Sequence, residues 1–248
     1  MTDMHSSSIP PSDSAARPRL MDGEKGSVLQ RDGATYAIAP HLPCGLLTPD
    51  VLRRLADVAE RYGCQAMKVT SAQRIALIGL QAKDIDAVWA ELGLARGGLA
   101  GDCVRSVRVC TGMDYCKRAQ QDSVPLGLQI DRDHHGKPMP GKLKIGVSGC
   151  GNQCAETATK DIGLVGSKQG WDVWVGGSGG AVPCLGTRIV RGCSAERAKA
   201  LVDDVLAFYQ AKARPKERLC RTLGRLGFEA LTDALGLPRP EAGGKGST

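Results

Sequence analysis

Four cysteines in two close pairs place the strongest constraint on how this chain can fold. Cys110 and Cys116 enclose five residues, Cys150 and Cys154 enclose three, and the second pair directly follows the β-like run LKIGVS. Two close pairs of thiolates on loops at strand ends can surround one cubane, because each of its irons needs a sulfur ligand. Zinc is the competing metal. Structural zinc sites favour roughly two to four residues between cysteines, so the first pair is wide for a zinc knuckle while the second fits. Spacing therefore favours iron–sulfur over zinc. It specifies no heme.

The chain holds ten cysteines in 248 residues. Its opening residues, MTDMHSSSIPPSDSAARPRL, lack the apolar core of a signal peptide, and no run approaches the roughly 20 apolar residues that span a bilayer. These features predict a cytoplasmic protein, where thiols stay reduced and a disulfide framework is not expected. The six cysteines outside the two pairs (Cys44, Cys64, Cys103, Cys184, Cys193 and Cys220) read as small buried hydrophobes. A formal net charge of +7 raises the local concentration of anions. With only 4% aromatic residues and no basic run interleaved with aromatics, a single-stranded nucleic acid finds little to stack on, and no nucleic-acid partner is expected.

Composition and hydrophobic patterning divide the chain. Residues 1–27, rich in Ser, Pro and Asp, read as a disordered lead-in, and residues 238–248 as a flexible tail. Residues 28–98 form a first unit. ATYAIAP has strand character, Thr48 caps a helix with Pro49 at its first position, AMKVT and RIALIGL read as strands, and a second helix runs from about Asp84 to Leu92. That order suits a small α+β sandwich. Residues 99–237 form a second unit with strand-like LKIGVS, DIGLVGS, WDVWVGG and LGTRIVRG, then helices from about Ala195 to Ala213 and Lys216 to Gly227. Gly149 and Gly151 flank Cys150, and Gly176, Gly177, Gly179 and Gly180 form a glycine-dense loop that lets backbone approach a bulky group or simply makes a tight turn.

With these residues in view, the chain resembles the siroheme-dependent nitrite and sulfite reductases. VTSAQRIALIGL at 69–80, VRSVRVCTGMDYCKRAQQDS at 104–123, KLKIGVSGCGNQCAETATKDIGLVG at 142–166 and GWDVWVGGSGG at 170–180 carry the resemblance, in matching order and spacing. It resembles in particular the short assimilatory-type sulfite reductases and the corresponding segment of NADH-dependent nitrite reductase large subunits. The implied fold is α+β, a ferredoxin-like half-domain followed by an α/β domain that binds siroheme and a [4Fe–4S] cluster. The resemblance further implies that Cys110, Cys116, Cys150 and Cys154 ligate the cluster, and that Cys154 is shared with the siroheme iron. It places Arg74, Arg105, Lys142 and Lys144 around the anionic substrate, with Arg108 near enough to exchange roles with Arg105. Lys142 and Lys144 stand two apart on one strand, hence on one face of it. Siroheme carboxylates would meet Lys117, Arg118, Gln73, Asn152 and the loop of Gly176, Gly177 and Gly179.

The pattern also departs from the family. Larger relatives carry two copies of this architecture and take their distal lysines from the copy without cluster cysteines, whereas this chain has one copy. Either a homodimer rebuilds the two-fold, with Lys142 and Lys144 serving a neighbouring subunit, or a single half binds the cofactor in a more open pocket. No G-x-G-x-x-G follows a strand and no second cluster motif is present, so electrons are expected from a separate ferredoxin or flavoprotein. The leading expectation is an oxidoreductase acting on a small oxyanion, sulfite ahead of nitrite. A non-catalytic siroheme and iron–sulfur electron-transfer or assembly subunit is the alternative, and a zinc-binding interaction module a third.

Overall fold

The computed structural model describes residues 19–97 and 101–239. Short β-branched runs separated by turns give the first unit its antiparallel sheet: β1 (Ser27–Leu29), β2 (Tyr36–Ile38), then α1 (Pro49–Arg61), β3 (Ala66–Val69), β4 (Ile75–Leu80) and α2 (Ile85–Leu92). The strand order is β1-β2-β4-β3. Helix α1 starts where the sequence predicts, with Pro49 in its first turn and the Thr48 hydroxyl accepting the Val51 N–H at 3.4 Å. Leu55, Val58 and Ala59 of α1 and Ile85, Val88 and Leu92 of α2 bury against Tyr36, Ile38, Leu77 and Leu80 of the sheet.

The expected lead-in is shorter than residues 1–27. Leu20 is buried, its N–H bonds the Tyr36 hydroxyl at 3.0 Å, and Ser27 opens β1. An apolar anchor outweighs the polar composition around it. The rest of the expected lead-in and tail, residues 1–18 and 240–248, lies outside the described residues.

The second unit begins with β5 (Arg108–Val109), crosses through α3 (Ser123–His134), and returns as β6 (Ile145–Ser148). It continues through β7 (Ile162–Ser167), β8 (Gly170–Val175) and β9 (Thr187–Cys193), and ends in α4 (Ala195–Lys212), α5 (Leu219–Leu226) and α6 (Phe228–Ala234). Strands β5, β6 and β7 run parallel and β7, β8 and β9 antiparallel, in sheet order β5-β6-β7-β8-β9. The parallel pair β5–β6 decides where the chemistry sits, because loops leaving two parallel neighbours emerge from the same sheet edge. Leu201, Val205, Leu206 and Tyr209 of α4, the predicted apolar face, bury in the core with Val107, Ile145, Leu164 and Val173. Among the described residues no helix is long and apolar enough to cross a membrane.

Candidate functional site

Cys110 is the first residue after β5, and Cys150 follows the end of β6 by two. The Cys110 N–H continues the ladder to the Val147 carbonyl at 3.1 Å, and the Gly149 N–H points at Cys110 Sγ at 3.2 Å. The Gly149 carbonyl accepts the N–H groups of Gln120 and Gln121 at 2.7 and 3.0 Å, which ties the two cysteine loops together. A Cβ on Gly149 would stand 2.5 Å from the Gln121 carbonyl oxygen, so the contact admits only glycine. Cys110, Cys116 and Cys150 are half-buried and Cys154 is exposed. All ten cysteines are free thiols, and of the six read as buried hydrophobes only Cys44 is buried. Among the described residues no three His, Cys, Asp or Glu side chains group to hold one ion. A cubane asks for something else, since each thiolate meets its own iron.

A cavity of about 220 Å³ is lined by Thr70, Ser71 and Arg74 from the β3–β4 hairpin and by Arg105, Ser106, Arg108, Lys142 and Lys144 from the second unit. The four cations predicted to surround the substrate thus meet in one chain. Lys142 and Lys144 line this cavity together with Arg74 and Arg105 of the same chain. Arg108, which could have exchanged with Arg105, joins them instead.

Burial leaves these cations incompletely paired. Arg74 and Arg105 are 5% and 7% exposed; each donates to a carbonyl, that of Gly97 and that of Gly101 respectively. The Nε atoms of Arg74, Arg105 and Arg108 are buried with no hydrogen-bond partner among the described residues. Burial, then the neighbouring cation Arg105, holds Arg74 below the ordinary arginine value, and burial likewise lowers Arg105. Lys142 is lowered by burial and then by Arg105, Lys144 and Arg218. Arg108 reaches Glu156 through two bonds of 2.8 and 3.0 Å, and these, with Lys160 at 3.0 Å, pull Glu156 down to about 2. Unpartnered buried donors of one sign cost stability unless an anion arrives. A water takes about 30 Å³ of liquid volume, so the cavity has room for a small oxyanion with a few waters. The residues fit the groups expected of them: cysteine sulfurs on two loops tied together through Gly149, and cationic donors for carboxylates or an oxyanion.

The other predicted contacts divide. Gln73, in the left-handed region at φ 57°, spends both ends of its amide on Val109: Nε2 donates to the carbonyl at 2.7 Å and Oε1 accepts the N–H at 2.9 Å. It clamps the residue before Cys110. Gly176 and Gly177 are buried against the protein itself. A Cβ on Gly177 would lie 2.5 Å from both the Ala158 and Lys160 carbonyl oxygens, so close backbone packing explains this glycine. Gly179, Lys117, Arg118 and Asn152 are exposed. Sequence reasoning missed Thr70, Ser71 and Ser106, small hydroxyl residues whose place on the cavity has no local signal.

Residues 100–241 match the family model "Nitrite and sulphite reductase 4Fe-4S domain", and residues 28–95 match "Nitrite/Sulfite reductase ferredoxin-like half domain". The chain belongs to the nitrite and sulphite reductase family. It is an oxidoreductase of that family, and membership carries the cofactor pair expected from the motifs, a [4Fe–4S] cluster and siroheme. A family member from Nitratidesulfovibrio vulgaris, named sulfite reductase, assimilatory-type, is 38% identical over 87% of this chain and 99% of its own length. The nitrite reductase [NAD(P)H] of Bacillus subtilis is 34% identical over 92% of this chain, which spans only 28% of that protein. Among solved structures, dissimilatory sulfite reductase I superposes with a TM-score of 0.75 over 84% of this chain and 70% of that one, at 17% identity. The Mycobacterium tuberculosis NirA protein superposes at 0.71 over 91% of this chain and 46% of that one, with 21% identity. At those identities the superpositions speak for the family fold alone.

Proposed function

We propose that this chain reduces sulfite, and nitrite less well, by multiple electrons taken from a separate donor protein such as a ferredoxin or flavoprotein in the cytoplasm. The observation that carries this reading is the convergence of Arg74, Arg105, Arg108, Lys142 and Lys144 on one small cavity. The near-complete coverage of a relative named as a sulfite reductase supports sulfite ahead of nitrite. Cys110, Cys116, Cys150 and Cys154 would hold the cluster, Cys154 beside the siroheme, and the exposed Lys117, Arg118 and Asn152 stand where carboxylates of the macrocycle would need partners. When bound, the coupled pair supplies the electrons and the iron that receives the anion.

The rest falls to the side chains. Arg74 and Arg105 are buried and line the cavity, where their guanidinium groups would hold an anion by charge-assisted bonds. Lys142, made a stronger acid by burial and by its cationic neighbours, is suited to pass a proton to a leaving oxygen. Lys144, like Lys142, lies in the segment leading into β6 and not on the strand itself, and it adds charge on the same cavity. The test is the visible spectrum of the anaerobically purified protein, with iron and acid-labile sulfide counted and sulfite- and nitrite-dependent oxidation of a reduced artificial donor measured on the same sample. About five irons and four sulfides per chain with faster turnover of sulfite are expected. A fully loaded protein that oxidises the donor with neither anion would make it a carrier module. A colourless protein with one zinc would remove the reading altogether.

A further inference from the structure

Behind the cation cavity lies a buried polar chain that the sequence motifs do not mark. Ser106, 4% exposed, lines the cavity, and its Oγ lies 2.9 Å from His41 Nδ1. His41 Nε2 in turn lies 2.8 Å from Asp131 Oδ2, and the other carboxylate oxygen accepts the Val107 N–H at 2.8 Å. His41 and Asp131 are 8% and 2% exposed. Asp131, on α3, thus fixes both the imidazole and the backbone next to Ser106. Because an ionised carboxylate only accepts, His41 Nε2 carries its proton, and Nδ1 is the atom that exchanges a proton with Ser106.

We infer that Asp131, His41 and Ser106 form a proton relay that delivers protons to an oxyanion bound in the cavity. This rests on the reading of the cavity as an oxyanion site and adds a proton path to it. An oxygen leaves as water only once it is protonated, and repeated deoxygenation needs a donor that recharges. In one step the His41 imidazolium gives its Nδ1 proton to Ser106 Oγ while the Ser106 hydroxyl proton passes to an oxygen of the anion. His41 is left neutral, Ser106 keeps one proton, the anion gains one, and no electrons move. His41 keeps 9% of its side-chain surface exposed, through which it regains a proton from water.

The groups around the relay suit this use. Asp131 compensates the imidazolium, and the cations Arg74 and Arg105 are near enough to the stacked His135 to disfavour its charged form. Cys44 is pushed up to about 12 by burial and by Asp131, so it stays a neutral thiol. The His135 ring stacks on His41, centroids 3.5 Å apart and planes at 9°. Burial, then His41, holds His135 down to about 4, so near neutral pH it is an uncharged platform that does not repel an imidazolium.

Ser106→Ala, Ser106→Thr and His41→Gln in the loaded full-length protein test the relay. Ser106→Ala is expected to keep the visible spectrum, leave KM for sulfite within about twofold, and lower kcat at least tenfold with a larger solvent isotope effect; the threonine hydroxyl restores most of the rate. Independently of turnover, calorimetric titration with nitrite near pH 7, in buffers of different ionisation enthalpy, should show proton uptake by the wild type that His41→Gln loses. Unchanged kcat in Ser106→Ala, or equal proton uptake by wild type and His41→Gln, overturns the relay. So does loss of the spectrum in both serine variants, which would assign Ser106 a purely structural role. If the wild type turns over neither anion while nitrite binding still draws protons through His41, the proposed reaction fails and the relay stands.

Discussion

Two sites of positive charge in this molecule are handled in opposite ways. Asp161, fully buried, accepts both Arg218 Nη2 contacts at 2.7 and 2.9 Å and the Lys144 N–H at 2.8 Å. Burial pushes its carboxyl up, and Arg218 opposes that shift. In the neighbouring cavity, Arg74, Arg105 and Arg108 keep a buried donor each with no partner, and the lysines add charge of the same sign. The first is compensated and serves the fold: it pins the backbone of Lys144, just ahead of β6. The second is left incomplete, at a cost in stability. Which buried charges the protein has neutralised separates scaffold from site more sharply than which residues are charged.

Removing the compensation should have the largest effect. Asp161→Ala leaves Arg218 without its partner and the Lys144 N–H unmet, and should destabilise the chain by about 3 kcal/mol in chemical denaturation, with a matching fall in Tm. A stability loss below about 1 kcal/mol would erase the contrast. In the cavity the opposite holds. Arg105→Met should leave stability without added anion unchanged or slightly higher, while nitrite affinity, read from the spectral shift of the loaded protein, falls roughly tenfold, about 1.4 kcal/mol.

A third prediction uses pH. His135 titrates near 6.5 in the unfolded chain and at about 4 in the fold, because burial penalises its charged form. The unfolded state therefore binds the proton first, and the stability tied to the neutral ring is fully present above pH 6.5 and lost as pH falls to about 4. Denaturation midpoints should drop across that window by the equivalent of about 1–2 kcal/mol, allowing for partial solvent screening, and His135→Gln should flatten the drop. The smallest effect sharpens the cavity itself. Since burial lowers Lys142, nitrite affinity should weaken as pH rises, beginning below the ordinary lysine range, and Lys142→Met should remove that dependence.

Much of the first unit was legible because its signals are local. The Thr48–Pro49 start of α1, the AMKVT and RIALIGL strands and the α2 helix depend on neighbours within a turn or a hairpin. The elements missed are those whose local chemistry argues against them. Helix α3 contains Pro125 and Gly127, yet forms because Leu126 and Ile130 bury beneath the sheet and Gly127 lets Val109 approach. Strands β1 and β5, three and two residues long, are too short for any period to show. Gly177 of the glycine loop has a packing reason that the sequence could not distinguish. A glycine that admits a ligand and one that admits the protein's own carbonyls read alike in sequence, and Gly177 is the second kind.

The sequence by itself determined the family, the two cysteine pairs and the four cations expected around the substrate, because each is written as a short motif with a chemical reason for its residue types. Tertiary structure alone decided that the cations share one cavity within one chain, that Gln73 grips the residue before Cys110, and that His41, Ser106 and Asp131 form one hydrogen-bonded chain. Those three residues are 65 and 25 positions apart, from His41 to Ser106 and from there to Asp131. Hydrophobic periodicity and spacing report on neighbours along the chain, whereas parallel pairing of β5 with β6 and the docking of the β3–β4 hairpin join segments that carry no mark of each other.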